Sequence, residues 1–255
     1  MLVERADIDT ADDGVCVKGT TGNAHVVNVT VRASRIRSRS SAVKFGSACG
    51  VAMRNLLFED LHIRDSNRGL ALQARDGGAI ADVVFRRIVI DGTRWWPRNW
   101  WGDGGALYIS TMLRDAGDPG CTVTNVTFED VVAVSQGASV LSGVAPGRAL
   151  SGVTLRNVTL VLDRLPGWNY SVDTNPAVFP NVEYDPTSVV SPTRRNMTGW
   201  MPGLYVEGVG GLTLDGVNVT FVAARRQSYW GHVCVNTTAA GAPVTVVGGS
   251  CTPPP

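Results

Sequence analysis

Two adjacent carboxylates stand near the start of the chain, in the stretch DTADDGVCVKG. Carboxylates a few ångströms apart repel each other, and such a pair can serve as a general acid and a general base. Asp and Gly also favour solvated turns, so a turn without chemistry is the alternative interpretation of Asp12 and Asp13. The elements around the pair must decide between the two.

An internal repeat predicts those elements. Segments of one pattern begin 27 residues apart at positions 28, 55 and 82, and similar segments begin at positions 125, 152 and 211. A second short strand follows seven residues after a fixed position, so that Ile8 leads to Val15 and Ala133 leads to Val140. Stacked units of roughly 20–30 residues are typical of a parallel β-helix. We expect an all-β, single-stranded parallel β-helix with coils of about 27 residues rather than a β-sandwich, whose strands recur every 8–12 residues or so.

Composition limits the classes of protein to consider. Hydrophobic residues make up 44% and charged residues 18% of the 255 positions, enough for a sizeable core. We expect a single domain over residues 1–255, with loop insertions near residues 91–106 and 161–203 and a short C-terminal tail at residues 235–255. The net charge of +1 gives no electrostatic case for nucleic acid or an anionic membrane, and no apolar run has the length of a membrane span.

In stacked coils, equivalent positions form columns along the sheet. The columns of Asp12 and Asp13 continue through Ser40 and Ser41 to Asn67 and Arg68, and an inserted loop beside them contains Trp95, Trp96, Trp100 and Trp101. Aromatic rings cover sugar faces, and paired carboxylates supply acid and base for glycoside cleavage. The stripe therefore suits an extended sugar chain, although the tryptophans could instead pack the loop onto the solenoid.

Three segments occur in one order at one spacing: DTADDGVCVKG, SAVKFGSACG and DSNRGLALQARDGG. Over roughly residues 1–114 they resemble glycoside hydrolase family 28, the polygalacturonase family of pectin-degrading enzymes. The resemblance implies a right-handed parallel β-helix that hydrolyses galacturonan with inversion. It implies Asp12 as the general acid and Asp13 as the general base. It implies no metal and no organic cofactor.

The chain departs from the family pattern at three places. The family's upstream aspartate would precede Met1, and its histidine falls at Ser40 or Ser41. Its arginine and lysine, which hold the substrate carboxylate, fall at Ala71 and Gln73. Three interpretations follow: a hydrolase with altered specificity for a less acidic or neutral sugar, a non-catalytic glycan-binding β-helix, or a fragment of an active enzyme. We expect an N-terminally truncated chain that is marginally stable or prone to associate, and a monomer at full length.

A relocated cation is a hypothesis for the lost substrate clamp. Lys44 occupies the outward column of Cys16 and Ala71, one strand from the family's arginine position. A solvated surface lysine is the alternative. The candidate substrate contacts are Ser41, Lys44, Arg68, Gln73, Arg75, Trp100 and Trp101.

Seven Asn-x-Ser/Thr sequons suggest a secreted glycoprotein, although four of them read N-V-T, which also suits β-strands. The five cysteines lack metal-ligand spacing; Cys234 and Cys251 could pair, and the odd number leaves at least one unpaired or bridged to another chain. We therefore expect an extracellular glycoside hydrolase of a pectin-like cell-wall polysaccharide, with an export signal outside this chain. A catalytically degenerate carbohydrate-binding or structural β-helix is the alternative.

Overall fold

The computed structural model describes residues 1–20, 25–94, 104–111, 113, 117–143, 150–163, 171–173, 194–196, 202–222 and 233–236. These ranges form strands and no helix, and so contain none that is long and apolar enough to cross a membrane. The strands are β1 (Leu2–Glu4), β2 (Asp7–Thr10), β3 (Val15–Gly19), β4 (Val26–Ser38), β5 (Ser41–Cys49), β6 (Ala52–Ser66), β7 (Arg68–Arg75), β8 (Ala79–Thr93), β9 (Leu107–Ser110), β10 (Thr122–Ser135), β11 (Ser139–Ser142), β12 (Leu150–Leu162), β13 (Ser171–Asp173), β14 (Arg194–Asn196), β15 (Leu204–Glu207), β16 (Val209–Gly210), β17 (Thr213–Asp215), β18 (Asn218–Phe221) and β19 (Val233–Asn236).

Two parallel sheets hold almost all of these strands. The first sheet has the order β1-β4-β6-β8-β10-β12-β16, with β2 paired to β4 and with β17 and β18 paired to β12. The second sheet has the order β3-β5-β7-β9-β11-β15-β19. A separate antiparallel pair joins β13 and β14. The all-β, parallel architecture expected from the sequence is confirmed, and each successive unit of the repeat adds one strand to each sheet.

The register of the first sheet confirms the repeat. Val29 pairs with Leu56 and Leu56 with Val83, two steps of 27 residues. Val83 pairs with Val126, and Val126 pairs with Val153. The alignment of the segments that begin at positions 28, 55, 82, 125 and 152 is therefore correct.

The seven-residue step that placed Val140 in the column of Leu70 is wrong by one position. Val140 pairs with Tyr108, and Tyr108 pairs with Ala71 rather than with Leu70. The cause is a register shift at the end of β10, where Gly92 of β8 has no counterpart. Gly92 has a φ of 106°, a conformation that glycine adopts readily. The corner after β10 is one residue shorter, so β11 enters the second sheet one position out of phase.

A stack of phenylalanines fills the core between the sheets. Phe58, Phe85 and Phe128 are register partners in the first sheet, and their rings stack with centroids 5.0 Å apart at each step. Phe45 of the second sheet meets Phe58 edge-on at 5.5 Å. All four rings are fully buried. Burying each ring contributes on the order of 2–3 kcal/mol, and the offset contacts add about 0.5–1.5 kcal/mol per pair.

Corner positions explain part of the sequon pattern. Asn28, Asn55, Asp82 and Asn125 occupy one column, and each has a φ between 53° and 58°. Asn and Asp tolerate this left-handed conformation better than other non-glycine residues do. The Asn125 side-chain amide also donates to Asp82 Oδ1 at 2.6 Å. The recurrence of N-V-T at these corners therefore has a backbone cause that is independent of glycosylation.

Charges alternate in sign along one column of the first sheet. We call this column the charge ladder; it consists of Glu4, Arg32, Glu59, Arg86, Glu129, Arg156 and Asp215. Direct ion pairs join Arg32 to Glu4 at 2.7 Å and Arg86 to Glu59 at 2.7 Å. In an in-register sheet, like charges directly opposite each other destabilise the pairing, whereas opposite charges support it. The ladder therefore favours the observed register over its competitors.

Reversal of one ion pair within the ladder should not restore stability. The double variant Glu59→Arg/Arg86→Glu keeps opposite charges between these two positions, but it places like charges beside Arg32 and Glu129. We expect a free energy of unfolding lower by about 0.5–2 kcal/mol in urea titrations, and a smaller loss at high salt. Arg54→Gln, at an exposed position of β6, is the control and should stay within about 0.5 kcal/mol. Recovery to the wild-type value by the double variant would show isolated pairs instead of a ladder.

Acid should weaken the ladder at Glu59. Hydrogen bonds from Arg86 and then from Arg87 lower the pKa of Glu59, against an opposing effect of burial. Because the folded pKa is the lower one, this stabilisation is complete above the pKa of unfolded Glu, about 4.3, and is lost as the pH falls through the folded value. We expect Glu59→Gln to flatten the fall in unfolding free energy below that pH by less than about 1 kcal/mol. Parallel pH curves for the two proteins would contradict this expectation.

Candidate functional site

The Asp12–Asp13 turn joins β2 of the first sheet to β3 of the second. The hydroxyls of Thr10 and Ser38 both donate to the Asp12 carbonyl, each at 2.6 Å. The Asp13 backbone N–H donates to Asp12 Oδ1 at 2.8 Å. These bonds fix the turn against the neighbouring strand β4, while the Asp12 side chain remains exposed to solvent.

Asp13 is held by donors from the next coil. Its Oδ1 accepts from the Ser40 hydroxyl at 2.7 Å and from the Ser41 backbone N–H at 3.3 Å. Its Oδ2 lies 3.1 Å from the Lys44 ammonium. The side chains of Asp13 and Lys44 are only 12% and 6% exposed. The two adjacent carboxylates therefore differ in environment: one is anchored and mostly covered, the other open.

The register places Lys44 where the repeat predicted it. Lys44 pairs with Cys16 on one side and with Ala71 on the other. Lys44 is almost fully buried, so the alternative of a solvated surface lysine is wrong. Its ammonium faces Asp13, and a substrate carboxylate would have to compete with that side chain.

The other candidate contacts on the second sheet also lie close together and are buried. Ser41 pairs with Arg68 in the register of β5 and β7, and the Arg68 guanidinium lies 4.0 Å from the centre of the Tyr108 ring. The side chains of Ser41, Arg68, Gln73 and Arg75 are at most 5% exposed. Of the candidate residues that the structure describes on this stripe, Asp12 is the one open to solvent.

Sequence reasoning missed a buried polar column on the same face. The column runs from Gln73 through Ser110 and Ser142 to Glu207. The Tyr205 hydroxyl donates to Glu207 Oε2 at 2.8 Å. The alternation in the segments LYIS and LYVE is the signal that could have revealed it, because every second residue of each strand points away from the phenylalanine core.

The cysteines differ from the pairing considered from the sequence. Cys49 and Cys121, 72 residues apart, form a disulfide. The proposed partners Cys234 and Cys251 lie outside the residues whose side chains the structure describes, as do Trp100 and Trp101. Cys16 is a free thiol whose sulfur donates to the Gly46 carbonyl at 3.5 Å. Burial of the thiol raises the pKa of Cys16, and the negative charge of Asp13 raises it further.

Comparisons with known proteins give no relative. No protein-family model, no curated protein and no solved structure matches this chain. Within the described ranges, no cluster of three or more His, Cys, Asp or Glu residues could hold a metal ion. The resemblance to glycoside hydrolase family 28 therefore stays a prediction from the quoted motifs, and the function must be argued from the geometry of the turn.

A double-mutant cycle would measure how strongly Lys44 and Asp13 are coupled. Lys44→Met leaves a mostly covered carboxylate without its cation, and we expect it to lower the free energy of unfolding by about 1–3 kcal/mol. With Asp13→Asn added, the loss should be smaller than the sum of the single losses by about 1 kcal/mol or more.

The control pair is Arg37 and Asp9, which lie 3.2 Å apart with side chains 26% and 56% exposed. Its coupling should stay below about 1 kcal/mol because water screens it. Equal coupling energies for the two pairs would contradict the special role of the covered pair.

Proposed function

We propose that this chain is a right-handed parallel β-helix that hydrolyses glycosidic bonds of a pectin-like cell-wall polysaccharide. Asp12 acts as the general acid and Asp13 as the general base. The observation that carries the proposal is the contrast within the turn, where an exposed carboxylate lies beside an anchored one. Supporting the fold is the alternation of each repeat unit between two parallel sheets at a recurrent 27-residue step.

The hydrogen bonds suit these two roles. An ionised carboxylate offers about four lone-pair directions, and three donors meet those of Asp13. Both oxygens of Asp13 accept, which leaves acceptor capacity for a water proton but no proton to donate. Asp12 uses Oδ1 for the Asp13 N–H, and its exposed side chain can carry a proton to a glycosidic oxygen on its other oxygen atom.

A polysaccharide substrate fits the elongated form of the site. Parallel strands about 4.8 Å apart repeat the same positions along the second sheet, so a chain of sugars can lie across successive coils. The substrate is the only partner in the proposal, which involves neither nucleic acid, membrane nor cofactor, and the full-length protein acts as a monomer. The Cys49–Cys121 disulfide supports an extracellular location, because disulfides persist mainly in oxidising compartments.

One observation favours the second candidate function, a carbohydrate-binding or structural β-helix without catalysis. Ser41, Arg68, Gln73 and Arg75 are buried, and a substrate would have little direct access to them. A protein that has lost turnover could keep these side chains for stability alone.

Single substitutions of the two aspartates separate the candidates. We expect Asp12→Asn and Asp13→Asn each to lower kcat on polygalacturonate and partly methyl-esterified pectin by about 10²-fold or more, measured as new reducing ends. Affinity for the sugar chain should change little for Asp12→Asn, which is exposed and should melt like the wild type. Asp9→Asn, in the preceding strand, is the matched control and should retain full turnover.

The binding alternative predicts a different pattern. A wild-type protein that binds these polysaccharides without releasing reducing ends, and keeps its affinity in both variants, would overturn the hydrolase proposal. Asp13→Asn also removes the charge partner of Lys44, so its melting temperature must accompany its kinetics. The exposed Asp12 variant decides the question if Asp13→Asn unfolds.

A further inference from the structure

The alternation of charge fails on the outer face of the first sheet, in the row beyond the charge ladder. Arg35 pairs in register with His62, and the same register continued by two positions sets Arg64 beside Arg37. Basic residues directly opposite each other destabilise a sheet. A bound anion between them would remove that repulsion.

Neutralisation within this basic group is uneven. Arg37 is paired with Asp9 at 3.2 Å, and His62 Nε2 lies 3.6 Å from Asp91. In contrast, neither Arg35 nor Arg64 forms an ion pair with any residue that the structure describes, and both are exposed. Two guanidinium groups are therefore available to a ligand.

These side chains line an open cleft of about 320 Å³, which we call the arginine cleft; its lining consists of Asp7, Arg35, His62 and Arg64. This volume lies at the lower end of the range for small-ligand sites, roughly 300–1,000 Å³. Guanidinium groups bind carboxylates in a bidentate manner, and Asp7 can accept hydrogen bonds from hydroxyl groups. The lining thus suits a ligand that carries a carboxylate and hydroxyls together.

We propose that the arginine cleft binds a carboxylated sugar unit of an acidic polysaccharide. Arg35 and Arg64 hold the carboxylate, and Asp7 accepts from the ring hydroxyls. The choice of a polysaccharide rests on the proposed function, whereas the oxyanion chemistry rests on the cleft alone. Asp7 also disfavours nucleic acid, because a phosphate backbone would bring negative charge to both ends of the cleft.

The cleft lies near the turn that carries the carboxylate pair. Asp7 precedes Asp12 by five residues, so their Cα atoms are at most about 18 Å apart. A sugar chain of several units can therefore occupy the cleft and reach Asp12. The cleft is a remote subsite that selects the acidic chain, and it replaces the cation pair that the resemblance leads one to expect at Ala71 and Gln73.

Binding of a galacturonate hexamer tests the cleft, measured by calorimetry with the full chain in the Asp12→Asn background to prevent turnover. We expect Arg35→Gln and Arg64→Gln each to weaken binding roughly threefold to tenfold. Arg54→Gln removes the same charge from the same sheet outside the cleft, and it should stay within about twofold. A neutral glucose hexamer should bind far more weakly and should not respond to either cleft variant.

Four outcomes would overturn the inference. They are no binding of the hexamer, equal losses in the Arg54 control, unchanged affinity in both cleft variants, or tighter binding of dextran sulfate or oligo(dT) through the same arginines. The last outcome would assign the cleft to sulfate or phosphate groups. Cleavage is read separately: unchanged turnover in Asp12→Asn with arginine-dependent binding would refute the hydrolase and keep the cleft, and the reverse pattern would do the opposite.

Discussion

Parallel strands held in register at about 4.8 Å spacing are the constraint on which the rest of this structure depends. Each repeat sets its side chains directly against the same positions of its neighbours, so every column must be compatible with itself. The phenylalanine core meets this demand by stacking, and the corners meet it with residues that tolerate a left-handed backbone. The charge ladder meets it by alternation. Local sequence choices and global fold therefore agree at each level.

The same constraint builds the candidate site. Asp13 has no donor within its own strand, and the next coil supplies Ser40, Ser41 and Lys44 at the positions that face it. Asp12, one residue earlier, escapes this enclosure because its carboxylate points to solvent while its carbonyl is bound to Ser38. One register step thus creates two unlike carboxylates from two identical residues. Acid–base chemistry needs that difference.

Much of the fold could be predicted from the sequence, because the period of the repeat and the alternation within strands are both local signals. The phase of β11 could not, since it depends on one residue missing from a corner. The Cys49–Cys121 bond could not, because it joins positions 72 residues apart whose approach depends on the path of the coils. In the site, the column of Lys44 was predictable, but its burial was not. Burial is decided by what the whole chain places over a face, and alternation says nothing of that.

The charge ladder carries a rule of parity for how such a chain can grow or shrink. The segments between its rungs differ widely in length, with steps of 27, 43 and 59 residues, yet the sign of the charge still alternates. Duplicating or deleting a single coil would leave two equal charges in contact at the junction, whichever coil was chosen. Gaining or losing coils two at a time would preserve every opposite-sign neighbour. Loop length is thus free to vary in this protein, while the number of coils changes most easily in pairs.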